Sequence, residues 1–318
     1  MKEPQVFTMS ITPFTASGAL DEDAFRAHLQ RMVDAGVGVY LASPGTGEGH
    51  SLSLDELERV YRIGVEVCKG KVPTYANLRE GRNAHEVIDR VRIAEGAGVD
   101  VIQIYTVDAG HGMRPTYNEQ YAYYREVLEQ ISLPVGLSIN LLAAGYVNPI
   151  TLLKSLVREY PKITCINVNH PPTSFLAELI DEVGRGVSYY VDAPMLPESL
   201  TLGASGCLTG HVNVVPQLIR AIGRLYVRGD QAACGEAMHL LFRLNRAVGD
   251  FGADAGATSW SGRWVKAAMA VLDMPGHSDG RMRAPYLSPT AEDLKSFAAV
   301  LEPLDLRGVE ERARTLAL

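Results

Sequence analysis

Short apolar runs rich in β-branched residues alternate along the chain with longer segments whose apolar positions recur every three or four residues. That alternation is the mark of βαβ units feeding a parallel sheet. The run from Val6 to Ile11 predicts a strand. Asp21 then caps a helix that puts Phe25, Leu29, Met32 and Val33 on one face until Gly36 stops it. Val37 to Ser43 predicts the second strand. Ser53 with Glu56 three residues later has the form of a capping box, and the helix it opens turns Leu57, Val60, Tyr61 and Gly64 inward. Val72 to Ala76 is the third strand, Asn83 and Glu86 repeat the helix-start signal, and Val99 to Tyr105 is the fourth strand. Runs at Leu133 to Asn140, Ile163 to Asn169, Val187 to Asp192 and Gly206 to Gly210 complete a set of eight. Asp34 to Ser43 and Gly96 to Tyr105 share one plan, a helix end, an Ala-Gly-Val turn and a buried strand, as stacked like units require. Past Gly210 the pattern is helical alone, over Val214 to Val248, Thr258 to Leu272 and Thr290 to Leu301. The prediction is an α/β fold, a (β/α)8 TIM barrel over residues 1–225 with additional C-terminal helices over 226–318 belonging to the same domain. Gly249 to Ala257 and Met274 to Pro285 are too short and too varied to divide domains and are read as loops.

Composition narrows the function. The 318 residues are 47% hydrophobic, enough for a large core. No run approaches the roughly 18 apolar residues of a membrane span. The opening MKEPQVF has neither the basic region nor the apolar core of a signal peptide, so a cytoplasmic location is expected. Cys68, Cys165, Cys207 and Cys234 form no C-x-x-C pair, and neither a disulfide nor a zinc site is implied. A net charge of −7 without any basic cluster argues against nucleic acid and anionic membranes, both of which need a concentrated positive field. Chemistry on a small molecule is the expectation.

Several stretches carry a more specific signal. ITPFTASGALDEDAF, PGTGEGHSLSLDE, LGASGCLTGHVNVVP, WVKAAMAVLDMPG and RAPYLSPTAEDL occur in this order and spacing, and together they resemble the dihydrodipicolinate synthase and N-acetylneuraminate lyase family. The resemblance implies a barrel enzyme that holds a 2-oxo acid, and a homo-oligomer, dimer or tetramer. In that family a lysine ending strand six, in a pattern like I-x-x-I-K, forms a Schiff base with the substrate. Here the stretch reads ITCIN, so Asn167 stands at that position. An amide cannot form an imine, because its nitrogen lone pair is delocalised into the carbonyl. The family's L-Y-N-V-P-x-R-T-G corresponds to Leu137–Gly145, which places Ser138 at the tyrosine and Ala143 at the arginine. Gly45 replaces the first threonine of G-T-T-G-E, while Thr46, Gly47 and Glu48 match it, so the resemblance gives Thr46 the substrate carboxylate. The loop Thr106–Thr116 lacks both family tyrosines. Lys71 and Lys162 precede strands and belong to the opposite face, and Lys266 is placed in the appended helices.

Barrel chemistry is assembled at the carboxyl ends of the strands. That rule selects Ser43, Thr46 and Glu48, Asn77 and Arg79, Asp108 and His111, Ser138 and Asn140, Asn167, Asn169 and His170, Asp192, and His211 with Asn213. His170 is the first choice for acid-base work, followed by His111 and Asn167. Thr46, Gly45, Gly47, Ser138, Asn140, Asn169, Asp192, His211, Asp108 and Arg79 are assigned to substrate binding. Each has a plainer reading as well: Asp192 as a structural acceptor, Arg79 as a solvated cation, Glu48 as a cap for nearby amides. Asn167 and Asn169 alternate with Val168 and should both face the interior, where a ligand or water would satisfy their amides. No cofactor is assigned. A divalent metal on His111, His170 and His211 with Asp192 or Asp108 is a further reading, without any compact ligand spacing behind it. Two functions are carried forward: a lyase or aldolase-like enzyme on a small 2-oxo or hydroxy acid that works without a lysine imine, and a non-catalytic barrel that binds a ligand or a partner protein.

Overall fold

The computed structural model describes residues 3–316 apart from 109, 141–144, 170–171 and 254–261. Eight parallel strands close into a barrel in chain order, with β8 returning to β1. They are β1 (Gln5–Met9), β2 (Gly38–Leu41), β3 (Thr74–Asn77), β4 (Val101–Ile104), β5 (Val135–Asn140), β6 (Ile163–Asn169), β7 (Ser188–Val191) and β8 (Gly206–Thr209). Between and after them run α1 (Glu22–Ala35), α2 (Leu54–Cys68), α3 (Ala84–Ala97), α4 (Tyr117–Leu128), α5 (Ile150–Glu159), α6 (Thr173–Val183), α7 (Leu196–Leu202) and α8 (Pro216–Arg228). The starts follow the local chemistry. Asp21 accepts from the Ala24 N–H, and Ser53 with Glu56 forms the reciprocal capping box. Asn83 caps α3 through the Glu86 N–H, but the Glu86 carboxylate turns to the Arg82 N–H, so that box is not closed. Gly36 ends α1 in the left-handed conformation at φ 68°.

The C-terminal helices are α9 (Gln231–Ala253), α10 (Gly262–Val271), α11 (Ala291–Leu301) and α12 (Leu306–Leu316). Three features differ from the sequence expectation. Gly249 to Ala253, read as the start of a loop, continue the helix α9, and the rest of that stretch, 254–257, lies outside the described residues. The predicted helix over Val214–Val248 is broken at Gly229, which takes φ 79° and ends α8, and Asp230 starts α9 by accepting from the Ala233 N–H. The unforeseen α12 follows Pro303, where the periodic pattern stops, and buries Leu306, Val309 and Ala313. Among the described residues no helix is long and apolar enough to cross a membrane.

Inside the barrel, the layers nearest the amino ends of the strands are unusually aromatic. Phe7, Tyr40, Tyr75 and Tyr190 fill them together with Val101, Cys165 and Leu208. Phe7 meets the three tyrosines edge-on at centroid distances of 4.9–5.3 Å, and Tyr40 stacks on Tyr75 at 4.3 Å. This end of the barrel is packed solid.

Candidate functional site

Above the aromatic layers the interior turns to amides and hydroxyls. Strand register sets Asn167 of β6 between Ser138 of β5 and Tyr190 of β7, and Asn169 beside Asn140. Asn167 is fully buried, and its partners come from the barrel itself: Nδ2 donates to Gln103 Oε1 at 3.0 Å, and the amide meets the Tyr40 hydroxyl at 3.3–3.4 Å. The expectation that a ligand or water would satisfy this amide is therefore corrected, because Gln103, two residues before the end of the inward face of β4, reaches it first. Asn169 is different. It is 4% exposed, and its Oδ1 has no hydrogen-bond partner among the described residues; the same holds for Gln103 Nε2. A buried amide oxygen and a buried amide N–H are thus unspent in one polar layer, and leaving such groups unmet costs about 1–3 kcal/mol each.

Next to them stands Tyr105, which follows β4. Its hydroxyl donates to Asn77 Oδ1 at 2.7 Å and contacts the Ser138 side chain. Burial pushes this phenol well above its ordinary pKa, the Glu80 carboxylate adds to the rise, and the Ser138 hydrogen bond opposes it. Glu80 follows β3. Burial raises its carboxyl, nearby Asp108 raises it further, and Arg79 and Arg90 oppose the shift. Glu80 and Tyr105 thus stand near enough to influence each other's charge, with the Tyr105 hydroxyl committed to Asn77. Neither Glu80 nor Tyr105 was selected from sequence, since what marks them is tertiary burial.

The turn after β2 is built tightly. The N–H groups of Gly47 and Gly49 donate to Ser43 O, and that of Glu48 to Gly45 O. A side chain at residue 47 would put its Cβ 2.5 Å from Ser10 O, so only glycine fits. Gly47 therefore spends its N–H inside the turn. Thr46 is buried, with Oγ1 3.9 Å from Met9 Sδ. Beneath the turn Glu48 forms an ion pair with Lys266 of α10, both side chains 1% exposed, and accepts from the Arg283 N–H at 3.0 Å. Lys266 also donates to Arg281 O at 2.9 Å and lies over the Phe14 ring, whose centroid is 4.5 Å from Nζ and 4.3 Å from the Arg283 guanidinium carbon. Burial pulls the Lys266 pKa down and Glu48 opposes it. Glu48 is thus structural, but its partner is an ammonium from the helical tail as well as a backbone amide.

The other described lysines end elsewhere. Lys69, Lys71 and Lys162 hold backbone carbonyls, Lys154 pairs with Glu182, and Lys295 is exposed. The remaining sequence choices scatter. Arg79 sits at φ 49° and donates to His50 O at 2.7 Å. Asp108 is exposed and accepts from the Gly110 N–H, and His111 is exposed at φ 47°. Asp192 accepts from the Ala193 N–H. His211 is held by Thr209 Oγ1 at 2.8 Å and by Asn245 of α9, against the Trp264 ring. Asn77 and Asn213 are braces: Asn77 Nδ2 holds Leu41 O, and Asn213 ties Met9 O, Gly210 O and the Ile11 N–H. His170 lies outside the described residues, as do Ala143 and the Asn140 side chain. Among the described residues no three His, Cys, Asp or Glu gather where they would share an ion.

The profile of the dihydrodipicolinate synthetase family matches residues 2–304 of this chain. The chain belongs to the dihydrodipicolinate synthetase family. It is 28% identical to an uncharacterised DapA-like lyase of Pyrobaculum arsenaticum over 96% of this chain and 100% of that one. It is 27% identical to the 4-hydroxy-tetrahydrodipicolinate synthase of Methanococcus aeolicus over 95% and 99%. The fold matches that of YagE, a family member from E. coli K12 solved with pyruvate, at a TM-score of 0.84 and 21% identity, covering 95% of this chain and 99% of that chain. Within this family's barrel, the polar layer around Asn167 and Asn169 occupies the carboxyl ends of β4 to β6, and the turn around Thr46 occupies that of β2.

Proposed function

We propose that this family member is a carbon–carbon or carbon–oxygen lyase acting on a small 2-oxo or hydroxy acid without a lysine imine. The observation that carries the reading is the state of two side chains. Asn167 ends its amide in a closed contact with Gln103 and Tyr40, and the buried amine of Lys266 is committed to Glu48. In this reading the substrate carboxylate lies at Gly45 and Thr46, and its reacting end meets Ser138 and Asn169. In carbon–carbon cleavage a base removes the proton from the substrate hydroxyl, whose carbon becomes the carbonyl of the departing fragment. The adjacent carbon–carbon bond breaks, its electron pair passes into the 2-oxo carbonyl as an enolate, and the enolate carbon takes a proton back. In carbon–oxygen cleavage the base takes the proton α to the carbonyl and the hydroxyl leaves with a proton as water. Hydrogen bonds aimed at that oxygen replace the electron sink of an imine. Glu80 and Tyr105, with His170 assigned on sequence grounds, supply the acid-base groups.

The test is direct. Incubation with pyruvate or another 2-oxo acid and borohydride, followed by intact mass, should leave the protein mass unchanged; a reduced covalent adduct refutes the reading. Turnover across a set of 2-oxo and hydroxy acids should fall at least about 100-fold in Tyr105→Phe or Glu80→Gln, the usual scale for losing an acid-base group. If no acid in the set is turned over yet one binds saturably, the non-catalytic barrel becomes the better reading. The same proposal expects a cytoplasmic dimer or tetramer, measurable by light scattering.

A further inference from the structure

A second polar concavity lies on the outer wall of the barrel, away from the mouth. It is a cleft of about 740 Å³ between α1, α8 and α12. Arg31 of α1, Arg220 and Arg224 of α8, and Arg307 and Arg314 of α12 all line it. Arg220 spends one N–H on Ala35 O at 2.6 Å and Arg307 one on Leu272 O, but five arginines along one cleft run against the composition of a chain of net charge −7.

The carboxylates nearby leave room for another anion. Glu3 reaches Arg220 at 3.5 Å and Arg224 at 2.6 Å, but with one oxygen, Oε1, for both. Glu310 of α12 lines the cleft too, yet its two oxygens accept from the Gln217 and Leu218 N–H groups at 3.0 and 2.8 Å, at the start of α8. Asp34 and Glu311 stand exposed at the rim. Arg31 donates to Asn213 O, while its buried Nε has no hydrogen-bond partner among the described residues. Burial pulls the Arg31 pKa down to about 10 and pushes Glu310 up to about 7, while the charges of Arg31 and Glu310 oppose each other's shift.

We propose that this cleft binds a small, multiply charged anion, a phosphate ester or a dicarboxylate, through Arg31, Arg224 and Arg314. Guanidiniums suit this ligand class because their planar fork pairs two N–H donors with two anion oxygens. The site is separate from the barrel mouth and does not depend on which reaction the mouth performs.

Calorimetric titration of the full chain at fixed ionic strength, with inorganic pyrophosphate and separately with succinate, tests it. At least one anion should bind saturably. The affinity should drop at least tenfold in Arg224→Gln/Arg314→Gln and stay unchanged in Thr46→Val, which alters the mouth. The anion with the higher affinity identifies the ligand class. If the double variant is not folded by thermal melting, Arg314→Gln alone, at an exposed position, is held to the same criterion. Absence of saturable binding for both anions, equal affinity in the arginine variants, or loss of binding in Thr46→Val would overturn the proposal.

Discussion

Two buried polar centres sit a short way apart at the mouth of this barrel, and they are constructed on opposite principles. Under the β2 turn, Glu48, Lys266 and Arg283 form a charged centre in which both carboxylate oxygens and the ammonium have partners within the protein. Across β4 to β6, the centre is neutral, made of Asn167, Gln103, Asn169, Ser138 and Tyr105, and among the described residues it retains an unmet amide oxygen and an unmet amide N–H. A saturated centre has nothing to offer a ligand and serves as framework. An unsaturated one gains by binding, and the function proposed above therefore places substrate recognition at the neutral centre rather than the charged one.

The strongest way to break this contrast is Lys266→Met. It strands Glu48 as a buried charge and should cost about 3–5 kcal/mol in denaturant unfolding. Adding Glu48→Gln should recover much of that loss, since removing both charges removes the desolvation penalty as well. A loss below about 1 kcal/mol in the single variant would mean the pair is not the framework described.

Glu310 sharpens the contrast as an intermediate case, a half-buried carboxylate bonded to backbone N–H groups and without a close ion-pair partner among the described residues. Its pKa rises from 4.5 to about 7 on folding, so between those values the folded chain binds more protons than the unfolded one. Stability should therefore fall as pH climbs from 4.5 to 7 and level off above, by about 3 kcal/mol at most from the full shift. Glu310→Gln should flatten that slope in urea midpoints taken across this range.

Within the neutral centre, Tyr105→Phe leaves Asn77 Oδ1 buried without its donor and should cost about 1–3 kcal/mol, along with the loss of turnover predicted above. The smallest stability effect belongs to Asn169→Ala. Its oxygen has no hydrogen-bond partner among the described residues, so unfolding should move by less than about 1 kcal/mol while substrate affinity drops about tenfold. A large destabilisation with unchanged affinity would place Asn169 in the framework instead.

The barrel was legible in the sequence because parallel strands buried on both faces read as continuous β-branched runs, and because Asp21, Ser53 and Gly36 mark helix ends by chemistry local to a few residues. The inward parity of Asn167 and Asn169 was legible for the same reason. What stayed hidden depends on distance along the chain. Lys266 meets Glu48 across 218 positions, and nothing near either residue announces the other. Gln103 was within reach of the same parity argument that placed Asn167, but a lone glutamine in an apolar run carries no sign of the strand it will face. Glu80 was not singled out, and its partial burial exists only once β3, β4 and the following loops are assembled. His211, attractive as a residue after β8, is claimed by Asn245 from a helix that sequence could place beside the barrel but not against that ring.

The aromatic filling at the far end gives the barrel the shape of a well with one opening. Phe7, Tyr40, Tyr75 and Tyr190 stopper its floor, so whatever enters past Thr46 must leave by the same route. For a reaction that splits one molecule into two, the fragment lodged nearer Asn167 is trapped behind the other until the outer one departs. Release is then ordered by architecture, and in steady-state inhibition patterns the deeper fragment should compete with the intact substrate while the shallower one should not.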